Sequence, residues 1–185
     1  VLVAASCFDL SELSPNLHYC FQAWGWHTAS LIETGWFAKN RPEMTKNLVF
    51  ATTDDQTGHM LAATNGGMWE KFGVKTTWLF FPAGATDLSA VATKVKALNP
   101  SAFGAATGQP PVDGQLFRAV YQAGCKTQFF GGGCMPLLLM ATTCPIEALE
   151  GYIDLAGTKE FEPPATQMAK DFLAAWQAKY GKWEG

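Results

Sequence analysis

Apolar runs suited to buried strands begin near residues 48, 76, 102 and 127, about 25 to 28 residues apart, and the first three each lead into a stretch of helical periodicity. Such spacing leaves room for a strand, a helix and short loops in each unit, which is the pattern of a parallel sheet with right-handed crossovers. The tightest unit is "FPAGATDLSAVATKVKALNPSAFGAA", residues 81–106. Leu88, Val91, Val95 and Leu98 recur along one helical stripe, while Thr93, Lys94 and Lys96 take the wet side. Asp87 is placed to accept a hydrogen bond from a first-turn amide. Asn99-Pro100 then stops the helix, because a residue before proline is pushed out of the α region.

The remaining elements follow the same logic. "NLVFATTDDQTG" predicts a strand over 48–52 that runs into a polar turn at 53–57, then a helix over 58–72 with Leu61, Met68 and Phe72 on one stripe. A helix over 28–39 is expected to turn Leu31, Ile32, Gly35 and Trp36 inward. "TGQPPVDG" opens a helix that buries Val112, Leu116, Val120 and Ala123, and "KTQFFGGG" is a further strand ending in glycines. Another strand is expected near 151–155, and a last helix carries Met168, Phe172 and Trp176 on one face. The predicted fold class is α/β, a parallel sheet flanked by helices on both faces.

Composition removes several functions. A net charge of -3, with 16% charged residues and no basic cluster, argues against nucleic acid as a partner. No apolar run approaches the roughly 20 residues of a membrane-spanning helix. Cys7, Cys20, Cys125, Cys134 and Cys144 form no CxxC pair, so neither zinc nor dithiol chemistry is expected; buried free thiols are favoured over a Cys134 to Cys144 disulfide. The opening "VLVAAS" lacks an initiator Met and a basic leader, and looks like the middle of a protein.

Enzyme signatures are missing too. No GxGxxG, GxxxxGK[ST] or GxSxG is present, and "GGGCMP" is a weak imitation of a phosphate loop. His18, His27 and His59 are scattered and read as surface or packing residues. Asp54 and Asp55 read as a turn in preference to an acid pair or a magnesium site. No cofactor and no catalytic residue is therefore expected. What remains is the carboxyl edge of the sheet, where open α/β folds bind ligands. The loops from Ala5 to Leu10, Thr53 to Thr57, Thr107 to Pro110 and Gly131 to Met135 are expected to meet there, offering hydroxyls, amides and helix N-termini to a small polar molecule.

Four stretches, in order, resemble the type I periplasmic solute-binding proteins of ABC transporters, especially the branched-chain amino acid group. They are "NLVFATTDDQTGHML", "FPAGATDLSAVATKVKALNPSAF", "AVYQAGCKTQFFGGG" and "FLAAWQAKYG". The resemblance covers nearly the whole chain. It implies two αβα lobes that close by a hinge on a ligand, with this chain supplying mostly one of them. Residues 1–22 would be the tail of lobe one and the first hinge, 23–156 lobe two, and 157–185 the return towards lobe one. It also implies a membrane permease as partner and a periplasmic, or extracellular and lipid-anchored, location, with the signal peptide outside this stretch.

Site residues implied by the resemblance are Ser6, Cys7 and Phe8 from the first lobe, Asp55 and Thr57 after the strand at 48–52, Thr107, Gly108 and Gln109 after the strand at 102–106, and Gly133 with Cys134. Several depart from the family pattern. Phe8 stands where a threonine is usual, Thr57 and Gly108 where aromatics pack on ligands, and Gly133 near an acid that pairs with an α-ammonium. A buried ammonium without a countercharge costs several kcal/mol. These departures imply a wider ligand, an aromatic or other organic acid. A ligand-sensing domain of a receptor or regulator is the alternative, and a nucleotide-dependent α/β enzyme a more distant one.

Overall fold

The computed structural model describes residues 2–6, 20–24, 26–131, 137–154 and 166–181. A compact unit, Val1–Leu155, holds two parallel sheets. In the smaller, β1 (Leu2–Ser6) pairs with β2 (Cys20–Trp24), Leu2 opposite Cys20 and Ser6 opposite Trp24. In the larger, β3 (Leu48–Thr53), β4 (Thr76–Phe81), β5 (Ala102–Ala105) and β6 (Gln128–Gly131) lie in the order β4-β3-β5-β6, all parallel. The predicted parallel α/β sheet is thus present.

Side chains alternate across each strand. Val49, Ala51, Phe103, Ala105 and Phe129 face α3 (Ser89–Leu98) and α4 (Pro110–Gln122), whose Val91, Val95, Leu116, Phe117 and Val120 complete that half of the core. Leu48, Phe50, Ala102 and Phe130 face α1 (Trp26–Asn40) and α2 (Gln56–Lys71), which contribute Phe37 and Trp69. Helices therefore cover both faces, and a strand buried on both sides is apolar throughout, as β3 is up to Ala51. Phe50 is the hub of the second half: it stacks on Trp78 at 4.5 Å and meets Phe130 edge-on at 5.1 Å.

Boundaries differ from expectation by a residue or two. The α3 unit is close to the reading: Leu88, Val91 and Val95 are buried, Asp87 accepts a hydrogen bond from the Ser89 amide at 2.9 Å, and Asn99 ends the helix at φ 45°. Leu98, in contrast, reaches solvent. The larger correction is α1. Ile32 and Trp36, expected inside, are 64% and 47% exposed, whereas Ser30, Glu33, Thr34 and Phe37 are buried. The Phe37 ring sets the helix rotation, lying 5.7 Å from Phe130 and 6.4 Å from Trp69. Phe72 is likewise outside, its ring lying over Gly35.

The strand expected near 151–155 reduces to one parallel bridge, Ile153 to Phe130, beyond β6. It follows a short helix α5 (Leu137–Met140) and a 3-10 turn at Ile146–Leu149. Cys144 is a buried free thiol, as expected, and burial pushes its pKa up to about 11; Cys134 lies outside the described residues. The second unit, Ala156–Gly185, contains α6 (Gln167–Tyr180), which exposes Met168 and Phe172.

Candidate functional site

In the order β4-β3-β5-β6 the chain leaves β3 towards β4 and returns to β5 on its other side, so the connections diverge at the β3/β5 boundary. Loops leaving the carboxyl ends of these two strands bend apart and open a crevice between them. Across this boundary the buried Thr52 hydroxyl donates to the Ala106 carbonyl at 2.7 Å. The crevice thus has a fixed floor.

One wall is the first turn of α2. Asp55 is its N-cap, accepting from the Gly58 amide at 2.8 Å. This bond, with a smaller contribution from the Thr53 side chain, holds the Asp55 carboxyl below its ordinary range. Gly58 is required sterically, since a Cβ there would overlap the Thr53 carbonyl and sit 3.0 Å from the Thr52 hydroxyl oxygen. Thr57 is exposed on the same turn. Beside it His59 pairs with Asp54 at 2.8 Å and stacks on Phe80 at 4.3 Å, a packing role of the kind expected of this histidine.

The other wall follows β5. Thr107 is buried; its hydroxyl donates to Asp113 Oδ1 at 2.7 Å and accepts from the Gln109 amide at 3.1 Å, while its own amide donates to the same carboxylate oxygen at 3.2 Å. Gly108 takes φ 70°, the left-handed region in which glycine is unstrained, with open space on its Cβ side. Gln109 is the N-cap residue of α4. Replacing Thr107 with valine removes the hydroxyl and leaves buried Asp113 one partner short; urea unfolding is expected to show a loss of about 1–3 kcal/mol.

The structure thus brings Asp55, Thr57, Thr107, Gly108 and Gln109 to the carboxyl ends of neighbouring strands. Ser6 ends β1 opposite Trp24. Cys7, Phe8, Gly133 and Cys134 lie outside the described residues. A separate groove of about 330 Å³ runs between α3 and α4 past Ser89, Gln115 and Arg118, on the helix layer and not at the strand ends.

Sequence reasoning missed a group of acids. Asp113 is 1% exposed and Glu33 8%, and one carboxylate oxygen of each, Oδ2 and Oε1, has no hydrogen-bond partner. Burial, and secondarily the charge of Asp154, raises Glu33 to about 8. Asp113 rises to about 6, driven by burial, with Asp154 adding to the rise against the Thr107 hydrogen bonds. Tyr152, beside them, has its phenol pKa raised by burial first and then by Asp154, Asp113 and Glu33. The one local hint was Asp113, six residues after Thr107 in a helix's first turn.

With this geometry in hand, comparison with known proteins is decisive on one point: a family model described as periplasmic binding protein matches residues 2–184. The chain belongs to the periplasmic binding protein family. Three solved structures show the same fold. The leucine-binding protein LivK of Thermotoga maritima is 22% identical, over 89% of this chain and 46% of that one, with a TM-score of 0.68. LivJ of Streptococcus pneumoniae, solved with isoleucine, is 19% identical over 89% and 46%, with a TM-score of 0.65. A solute-binding protein of an ABC transporter from Rhodopseudomonas palustris BisB5, solved with 3,4-dihydroxybenzoic acid, is 19% identical over 88% and 44%, with a TM-score of 0.58. The chain spans less than half the length of each of these structures. No curated protein sequence matches it significantly. Among the described residues no helix is long and apolar enough to cross a membrane.

Proposed function

We propose that this chain is most of one lobe of an extracytoplasmic solute-binding protein that delivers a small molecule to the membrane permease of an ABC importer. Residues 23–156 form lobe two, with 1–22 and 157–185 leading from and towards the other lobe. The ligand, a small organic acid or amino-acid-like molecule, sits on the carboxyl edge and is gripped when the lobes close by a hinge, without covalent chemistry. The observation that carries the reading is the pair of loops, Thr53–Thr57 and Thr107–Gln109, flanking the β3/β5 boundary in a member of a family of binding proteins. The loops offer a first-turn threonine and a glycine with open space above it, features that hold a polar solute and do not transform it. Ser6, Cys7, Phe8, Gly133 and Cys134 complete the proposed ligand shell.

Micromolar capture requires about 8 kcal/mol, and half of that corresponds to about millimolar binding by a single lobe. Amide chemical-shift mapping on the 185-residue chain with amino acids, aromatic acids and other small organic molecules tests this. Millimolar binding that shifts residues 53–57 and 107–109 is the expected outcome. Shifts confined to the α3/α4 groove, or turnover of any solute, would refute it.

A further inference from the structure

The missed acids come from both faces of the sheet and converge on the end of β6. Phe37 of α1 lies against Phe130. Because α1 runs back towards the start of β3, Glu33 sits one turn nearer the carboxyl edge than Phe37, at the level of Gly131. On the opposite face the Tyr152 ring is 5.7 Å from Phe117, one turn along α4 from Asp113. Gly131 itself lies under Tyr152 and Asp154: a Cβ there would overlap the Tyr152 hydroxyl and lie 2.5 Å from Asp154 Oδ1. The strand end thus carries no side chain where these groups meet, and Thr107 links Asp113 to the loop that lines the crevice.

Two independent features point to something more than a packing accident. Glu33 Oε1 and Asp113 Oδ2 are inaccessible and have no hydrogen-bond partner. A buried carboxyl oxygen left unpaired costs about 1–3 kcal/mol, more if charged, so native folds rarely keep two together. Neither the Arg41–Glu43 ion pair nor the His59–Asp54 hydrogen bond involves Glu33 or Asp113. The described ionisable groups that face Glu33 and Asp113 are Asp154 and Tyr152, all of acidic type. Among the described residues no set of acids, histidines and cysteines has the geometry to hold a metal ion.

We infer that Glu33 and Asp113, with Asp154 and Tyr152 beside them, form an acidic floor under the carboxyl edge that selects solutes bearing an organic cation, such as a primary amine with no neutralising carboxylate. This rests on the solute-binding reading above and replaces its organic-acid ligand with an organic cation. The countercharge that Gly133 fails to supply comes instead from three elements distant in sequence. Below about pH 8 Glu33 in the empty lobe holds a proton, as Asp113 does below about pH 6, and an ammonium drawn to the edge takes over that neutralising role, so binding in this range releases protons and strengthens as pH rises. An organic acid brought to the same edge is repelled once the floor is ionised.

The test uses the 185-residue chain with putrescine and agmatine as cations and benzoate and 4-hydroxybenzoate as acids, followed by amide shifts and calorimetry at pH 6 and pH 9. The expected result is diamine binding at least about tenfold tighter than that of the acids and tighter at pH 9 than at pH 6, with proton release at pH 6 and little at pH 9, falling about tenfold at pH 9 in both Glu33→Gln and Asp113→Asn. The two variants are near-isosteric and are read separately, so one that fails to fold leaves the other to decide. Binding of benzoates at residues 53–57 and 107–109 with no response to amines overturns this inference while the solute-binding reading stands. Amine binding that is independent of pH and of both substitutions overturns it as well. Absence of any solute response at these loops overturns both.

Discussion

Glu33→Gln is expected to raise the unfolding free energy of the chain by several kcal/mol at pH 9 and to change it little at pH 4. The folded-state pKa of Glu33 is near 8 against 4.5 for the free side chain, and each unit corresponds to about 1.4 kcal/mol. Below pH 4 both states hold the proton and the shift has no effect. Between 4.5 and 8 the unfolded chain ionises while the folded one stays protonated, so the native state binds more protons and stability falls as pH rises. Above 8 the loss levels off, with an ionised Glu33 buried beside Asp154. Glutamine keeps the shape and the neutrality and removes the titration. Asp113, raised to about 6, adds a smaller decline between about pH 4 and pH 6 that remains in the variant. Urea midpoints for both proteins across this range check the prediction; parallel stability profiles with no convergence at low pH would show that Glu33 is not the titrating group.

Phe50→Ala is the second large effect, expected to cost about 3–5 kcal/mol at every pH. Phe50 is 2% exposed and touches Trp69, Trp78 and Phe130 at centroid separations of 6.3, 4.5 and 5.1 Å. Its ring also fills the space above Gly104, where a Cβ would lie 2.7 Å from two of its carbons. Truncation therefore opens a cavity walled by rigid rings and a strand backbone, which collapse poorly. Thermal and urea unfolding measure the loss. A cost below about 1 kcal/mol would mean that Trp78 and Phe130 close over the gap.

The strands were legible because a strand buried on both faces is a short apolar run between turn signals, as β3 and β5 are, while the edge strand β4, only partly buried, still carries the apolar run Trp78 to Phe81. The helix α3 was legible for the complementary reason: with polar residues on its wet side, its periodicity has one solution. The helix α1 has apolar residues all round, so periodicity alone could not fix its rotation, and the Phe37 contacts did. The loops at 53–57 and 107–110 of the carboxyl edge were readable from topology, while those at 5–10 and 131–135 lie largely outside the described residues. The acidic group was not, because residues 33, 113 and 154 belong to different elements and each reads locally as a routine polar position. Only the closing of β6 against α1 and α4 brings them into one field.

The seating of Gly58 against the Thr53 carbonyl, with Asp55 closing the turn, joins α2 and β3 into a single rigid piece. A backbone so confined has no slack with which to reshape itself around different guests. On the proposed reading of that wall as ligand-binding, changes of preference there are written in side chains, at Thr57 first, and a swap of that residue alone is a natural starting point for redirecting what the protein accepts.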